Sequence, residues 1–206
     1  MSGDFNPEMQ WTLEQDECVF QGFFSMHRLH LRHQRFDGSW TPGLQREVMY
    51  RGPAVGVLAY DPQADAVVMV EQFRPGALHH AQGPWLLELI AGMVAEGETP
   101  AAVARREAME EAGLTLGPLT QVARYFSSPG GCDEEIILFY APVDTQGVGG
   151  VFGLAEEQEE TRVWVLPREE AWQEAQQGRA ANAMSLIGLQ WLQANYREQQ
   201  QAVQRT

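Results

Sequence analysis

The sequence predicts an α/β domain built on a mixed sheet, preceded by a small antiparallel sheet. Three observations carry this. Short apolar, strand-like runs alternate with helical segments from about residue 53 onward. Several of those runs are close enough in sequence to be hairpin-linked, and the stretch before residue 53 carries extended patterns alone. With 206 residues and 44% hydrophobic content, the chain can build one ordinary core and a small accessory element. The expected division is therefore 1–52 for the N-terminal antiparallel sheet and 53–206 for the main domain.

The stretch from Glu17 to about Phe36 is rich in Phe, Val, Leu and His, and Asp37-Gly38 is a turn signal leading to a second extended stretch near Gln45 to Arg51. Pro53 introduces Ala54 to Tyr60 and Val67 to Arg74, two apolar runs joined by Asp61-Pro62-Gln63-Ala64-Asp65, which read as a buried hairpin. A third apolar run follows from Trp85 to Ala91. The strongest helix is Pro100 to Ala112, because Thr99 can cap it, Pro100 suits its first position and Gly113 can close it. Strands are expected again at Gln121 to Ser127, Glu135 to Val143 and Thr161 to Leu166, and helices at Arg168 to Gln177 and Asn182 to Glu198. The Gln-rich end from Gln199 is expected to fray.

The formal charge of −14, from 28 acids against 14 bases, argues against a nucleic-acid partner. All 14 basic residues are arginine, and Arg28, Arg32, Arg35, Arg46 and Arg51 fall in one N-terminal stretch with few acids. No run of about 18 apolar residues occurs, and the first residues lack the pattern of a secretory signal. The expectation is a cytoplasmic protein without a membrane partner. Cys18 and Cys132 have no partners at zinc or redox spacing and are expected as free thiols. His27, His30 and His33 suggest a metal tract, but only His27 and His33 would share a strand face, so surface or interface histidines are the expectation.

Glu107, Glu110 and Glu111 occupy positions i, i+3 and i+4 of the Pro100 helix, so the three carboxylates rise from one arc. A solvated acidic face is the common explanation of such a helix. Here, however, Glu107 and Glu111 repel at i and i+4, which costs a helix about 0.2–0.5 kcal/mol. Glu110 and Glu111 also sit in the last turn, where the macrodipole favours cations. The placement disfavours the helix and suits a bound cation. Ala101, Ala104, Ala108 and Ala112 form a stripe beside the arc, which lets the helix approach a sheet closely. Hard carboxylate oxygens match Mg²⁺, which keeps several waters and accepts phosphate oxygens as further ligands.

Gly92, five residues, Glu98, seven residues, Arg106-Glu107-Ala108, one residue, Glu110-Glu111, one residue, Gly113-Leu114: this 23-residue pattern matches the Nudix box at every fixed position. The chain therefore resembles the Nudix hydrolases. The resemblance implies the Nudix fold, an α/β/α sandwich, and Mg²⁺- or Mn²⁺-dependent hydrolysis of a nucleoside diphosphate linked to another moiety. Beyond the box, from about Gly22 to Ala194, the chain resembles the bacterial ADP-ribose pyrophosphatases. Pro129 lies 15 residues after Leu114, and Gly22-Phe23-Phe24-Ser25, Glu71-Gln72-Phe73-Arg74, the loop from Gly153 to Glu160 and Leu189-Gln190-Trp191-Leu192 also resemble that group.

Carried over residue by residue, the resemblance implies Glu107 and Glu111 as main metal ligands, Glu110 as a further or outer ligand, and the Ala91 carbonyl as another. Gly92, Glu98, Arg106 and Gly113 would be structural, with Glu98 and Arg106 tying the loop to its helix. Glu157 matches the loop general base and Glu159 a supporting position. Phe23 and Arg46 resemble residues that sandwich adenine, and Arg74 a contact to the phosphates or terminal ribose. The loop carries Glu156 and Gln158 where members tend to have Asp and Asn, so Glu156 and Glu159 stay as alternatives for the base. The resemblance further implies a homodimer that exchanges its N-terminal sheet. From the residues alone, Phe23 is equally a packing aromatic, Arg74 equally pairs with a carboxylate and Arg46 with one across the dimer, and Glu156 to Glu160 reads as a solvated acidic loop.

The resulting expectation is hydrolysis of ADP-ribose to AMP and ribose 5-phosphate. The rival enzymatic reading is another nucleoside diphosphate sugar such as GDP-mannose. A non-catalytic nucleotide sensor would be expected to have lost glutamates or gained a DNA-binding module, whereas Glu107, Glu110 and Glu111 are all present.

Overall fold

A computed structural model describes residues 9–153 and 160–204. The chain forms two compact units, one of residues 1–52 with 126–134 and the other of 53–125 with 135–206. The segment 126–134, expected in the second unit, thus belongs to the first.

The first unit is a three-stranded antiparallel sheet of β1 (Trp11–Gln21), β2 (Ser25–His33) and β3 (Leu44–Tyr50), in that order. The single extended stretch expected from Glu17 to Phe36 is instead two strands. The chain reverses at Gly22-Phe23-Phe24, where the Gly22 N–H donates to the Phe24 carbonyl at 3.0 Å. Phe23 and Phe24 made this turn read as strand. The 126–134 segment is bonded to β3: the Met49 N–H donates to the Gly131 carbonyl at 2.9 Å, and the Asp133 N–H to the Met49 carbonyl at 3.1 Å. Asp133 also accepts from the backbone N–H of Arg51 at 2.8 Å, and Arg51 pairs with Glu134 at 3.0 Å. His27 contacts Asp16 through Nδ1 and stacks on Tyr50 with ring centroids 4.1 Å apart. The contact with His27 holds the Asp16 carboxyl below the usual carboxylate range.

In the second unit, an eight-stranded mixed sheet comprises β4 (Ala54–Asp61), β5 (Ala66–Phe73), β6 (Trp85–Glu88), β7 (Ile90–Met93), β8 (Thr120–Phe126), β9 (Glu135–Pro142), β10 (Gly150–Phe152) and β11 (Thr161–Pro167). Its main order is β10-β11-β5-β4-β9-β8, with β6 paired to β5 and β7 to β4. β4 and β9 run parallel; the other registered pairs are antiparallel. The apolar run from Trp85 to Ala91 divides because its first half continues the β5 side and its second half the β4 side.

Helix α1 (Pro100–Ala112) covers one face and helices α2 (Arg168–Gln176) and α3 (Ala183–Gln204) the other, which gives the expected α/β/α sandwich. The alternation of β5 makes the layers visible. Val68 and Val70 face α1, packing with Val103, Ala104 and Ala108, while Val67 and Met69 pack with Leu189 and Leu192 of α3. Two buried faces explain why all eight residues of β4 are buried. Asp61 closes the β4–β5 hairpin by accepting from the N–H groups of Gln63 and Ala64 at 2.9 and 3.0 Å, and it holds Thr145 by two further bonds. Burial opposes its charge, but these donors outweigh burial and keep its carboxyl below the ordinary value.

The expectation of fraying from Gln199 is corrected, since α3 continues to Gln204. Gln200 donates to the buried Tyr60 hydroxyl at 3.2 Å, and Arg168 lies over the Tyr196 ring at 3.8 Å. These contacts anchor the final turns. Among the described residues, no helix is long and apolar enough to cross a membrane.

Candidate active site

The site grows from the way α1 is started, pressed down and stopped. Thr99 Oγ1 accepts from the Ala102 N–H at 3.3 Å, Pro100 fills the first turn, and Gly113 ends the helix at φ 63°. The Gly113 and Leu114 N–H groups donate back to the Met109 and Ala108 carbonyls at 3.0 and 2.9 Å, closing the last turn beside Glu110 and Glu111. Ala104 and Ala108 are fully buried and Ala112 nearly so, but Ala101 is exposed and Val103 takes its expected place in the core. Small side chains here bring the helix backbone close to the sheet.

That closeness explains Gly92. A Cβ there would lie 2.1 Å from Glu107 Oε1, so only glycine lets the Glu107 carboxylate settle over β7. Glu111, four residues on, is buried and accepts from the Ala91 N–H at 3.2 Å. The backbone of Ala91-Gly92 and two carboxylates of α1 are thus brought to one place.

Arg106 offsets the repulsion among the glutamates. Its guanidinium lies 2.9 Å from both Glu107 and Glu110 and 3.5 Å from Glu98. Burial opposes the Arg106 charge, yet the three carboxylates outweigh it and hold the group protonated more firmly than usual. Glu98 also accepts from the Ala95 N–H at 3.0 Å, which curls the loop before the helix. Glu110 therefore faces Arg106, while Glu111 points to the β7 backbone. Among the described residues, no three acidic, histidine or cysteine side chains gather into a metal cage. The donor set is nevertheless suited to Mg²⁺: hard oxygens from Glu107 and Glu111, a carboxylate cradled by a missing Cβ, and few protein ligands, which matches an ion that keeps water and substrate oxygens.

Arg74 lies just beyond β5, in step with Val70 and Gln72. Its Nη2 and Nε are 2.7 and 2.8 Å from Glu88 Oε2, and Glu88 is only 4% exposed. Arg74 thus pairs with a carboxylate, and Glu88 is a buried partner that the sequence did not single out. Its signal was a lone acid inside the apolar run from Trp85 to Ala91. A buried carboxylate with a charge-assisted partner fixes the arginine head rigidly. Phe23 and Arg46 lie in the first unit. Phe23 is 87% exposed and meets Phe24 edge-on, so within this chain it is no core aromatic. Arg46 donates to the Gln45 carbonyl at 2.7 Å, and among the described residues no carboxylate lies within ion-pair distance of it. Glu156, Glu157 and Glu159 fall outside the described residues.

Comparison with known proteins agrees with this architecture. The chain is 44% identical over 194 residues to the ADP-ribose pyrophosphatase of Haemophilus influenzae, covering 93% of this chain and 89% of that protein. It is 31% identical over 182 residues to the GDP-mannose pyrophosphatase of Cronobacter sakazakii, covering 88% and 94%. The fold of a solved structure described as an ADP compounds hydrolase superposes with a TM-score of 0.69 at 17% identity, covering 92% of this chain and 96% of the other. The family model for the NUDIX domain matches residues 50–186, a span that contains α1, the Gly92 cradle and the Arg74–Glu88 pair. Sequence pattern, layered fold and glutamate helix agree with that match, and the chain belongs to the Nudix family of hydrolases.

Proposed function

We propose that this protein hydrolyses the pyrophosphate of ADP-ribose to AMP and ribose 5-phosphate in a Mg²⁺-dependent reaction. The observation that carries the reading is the carboxylate helix cradled by Gly92, joined to the 44% identity with an ADP-ribose pyrophosphatase over most of both chains. Glu107, Glu111 and the Ala91 carbonyl are the groups that would hold the metal, with Glu110 outside them and Glu159 in support; Mn²⁺ offers the same coordination chemistry. When bound there, such an ion would supply positive charge against the pyrophosphate and its developing negative charge. Arg74, held by Glu88, orients the phosphates or the terminal ribose. Phe23 offers an exposed ring for adenine, and Arg46 a guanidinium to stack against it. Glu157 accepts a proton from the attacking water, a new P–O bond forms, and the bond to the bridging oxygen breaks in line.

The same reading includes a cytoplasmic homodimer that uses residues 1–52 in exchange. Trp11, Phe20, Phe23 and Phe36 of the first unit are 64–100% exposed, and apolar surface of that kind suits a second copy of the chain. A second substrate reading, GDP-mannose, rests on the 31% identical relative.

The test is product analysis. Incubation of ADP-ribose with the protein and Mg²⁺ yields AMP and ribose 5-phosphate in equal amounts, chelation stops the reaction, and added Mg²⁺ restores it. Full activity in excess chelator, or ADP and ribose as products, would refute the proposal.

A further inference from the structure

Gln72 and Thr161 are directly opposite each other in the β5–β11 register. Both lie on the face of the sheet turned to α1, since Gln72 is in step with Val68 and Val70, and Thr161 with Val163. Gln72 is 5% exposed and Thr161 fully buried, yet among the described residues neither Gln72 Oε1 nor Thr161 Oγ1 has a hydrogen-bond partner. Side chains opposite each other in an antiparallel pair stand about 5 Å apart at Cβ. One small molecule donating to both oxygens would satisfy the pair.

Their location links them to the site. Thr161 pairs on its other side with Phe152, and the Phe152 ring packs against Gly113, with 3.0 Å to the position of a Cβ there. Gly113 is two residues beyond Glu111. Thr161 is also the first residue of β11, four positions after Glu157, and Gln72 is two positions before Arg74. We propose that Gln72 and Thr161 are positioning residues that bind one internal water, and that this bridge fixes the head of β11, from which the Glu157 segment departs. An apolar pair would pack equally well and leave no group unsatisfied. The polar pair makes the strand's position depend on a bound water.

The kinetic part of this inference rests on the pyrophosphatase reading; the binding part does not. The experiment combines a high-resolution crystal structure of the parent with kinetics and melting of Thr161→Val, Gln72→Met and Thr161→Ser. The expected result is an ordered water within hydrogen-bond distance of both Gln72 Oε1 and Thr161 Oγ1. Thr161→Val and Gln72→Met each lower kcat about tenfold with KM for ADP-ribose unchanged, and Thr161→Ser keeps parental kcat. A parent structure without water between the two groups overturns the site. Variants that melt earlier but keep parental kcat overturn the positioning role. If the parent leaves ADP-ribose intact, the substrate reading fails, and the crystal structure still decides the water site.

Discussion

All eight residues of β4 are buried, whereas all eleven residues of β1 are exposed. The sheet that holds β4 is packed by helices on both faces, and β4 itself carries only Ala, Val, Gly, Leu and Tyr before its closing Asp61. Among the described residues, no helix of its own unit covers the β1–β2–β3 sheet, and Trp11, Phe20, Phe23 and Phe36 of that unit are exposed. One sheet is complete within the chain, and the other presents surface that a monomer has little use for. The sheet that is complete frames the candidate metal-binding carboxylates, and the incomplete one supplies the proposed adenine contacts and dimer surface. Substitutions in the two units should therefore fail in different ways.

The largest expected effect is at α1. Glu111→Gln keeps the acceptor for the Ala91 N–H but loses the charge, so kcat should fall by about 10⁴-fold or more while circular dichroism stays unchanged. A variant with near-normal turnover at limiting Mg²⁺ would remove Glu111 from the metal assignment. Next comes Glu157→Gln, which preserves size and removes basicity. Its kcat should drop by about 10²–10⁴-fold with little change in substrate affinity. Should the loss appear only in Glu156→Gln or Glu159→Gln, the base is the neighbour.

In the first unit the effects should be on assembly. Sedimentation of the parent is expected to show two chains per particle. Phe36→Ser, which removes a fully exposed ring, should raise the dimer dissociation constant about tenfold. A fully active monomer at assay concentration would contradict the exchange role of residues 1–52. The smallest effect is on stability alone. Asp61→Asn should lower stability at neutral pH by about 2 kcal/mol, because charged hydrogen bonds are weakened, with kcat unchanged. The folded-state pKa of Asp61 lies below its unfolded value, so its contribution is present at neutral pH. That contribution is lost as pH falls below about 3.9 toward the folded pKa. The gap between variant and parent melting points should narrow over that range; a gap independent of pH would refute the assignment.

The second unit was more legible in the sequence than the first, for physical reasons. A helix bounded by Thr99-Pro100 and Gly113 carries its own start and stop signals, and strands buried on both faces read as continuous apolar runs. The turn at Gly22-Phe23-Phe24 defeated the same logic, because exposed aromatics in a turn look like strand interior. The split between β6 and β7 depends on which neighbour each half pairs with, which no local pattern records. The extension of α3 to Gln204 depends on Tyr60, 140 positions from Gln200. At the site, the glutamate spacing was visible because helix geometry converts it into a shared face. Glu88, Gln72 and Thr161 acquire meaning only through burial and register, so they stayed hidden.

ADP-ribose is the substrate to which this Nudix site is proposed to be fitted. The most direct test is a steady-state comparison with saturating Mg²⁺ over ADP-ribose, GDP-mannose, UDP-glucose, NADH and diadenosine polyphosphates. ADP-ribose should give the highest kcat/KM, by about tenfold or more over each of the others. A higher value for GDP-mannose, or equal values across the panel, would contradict it.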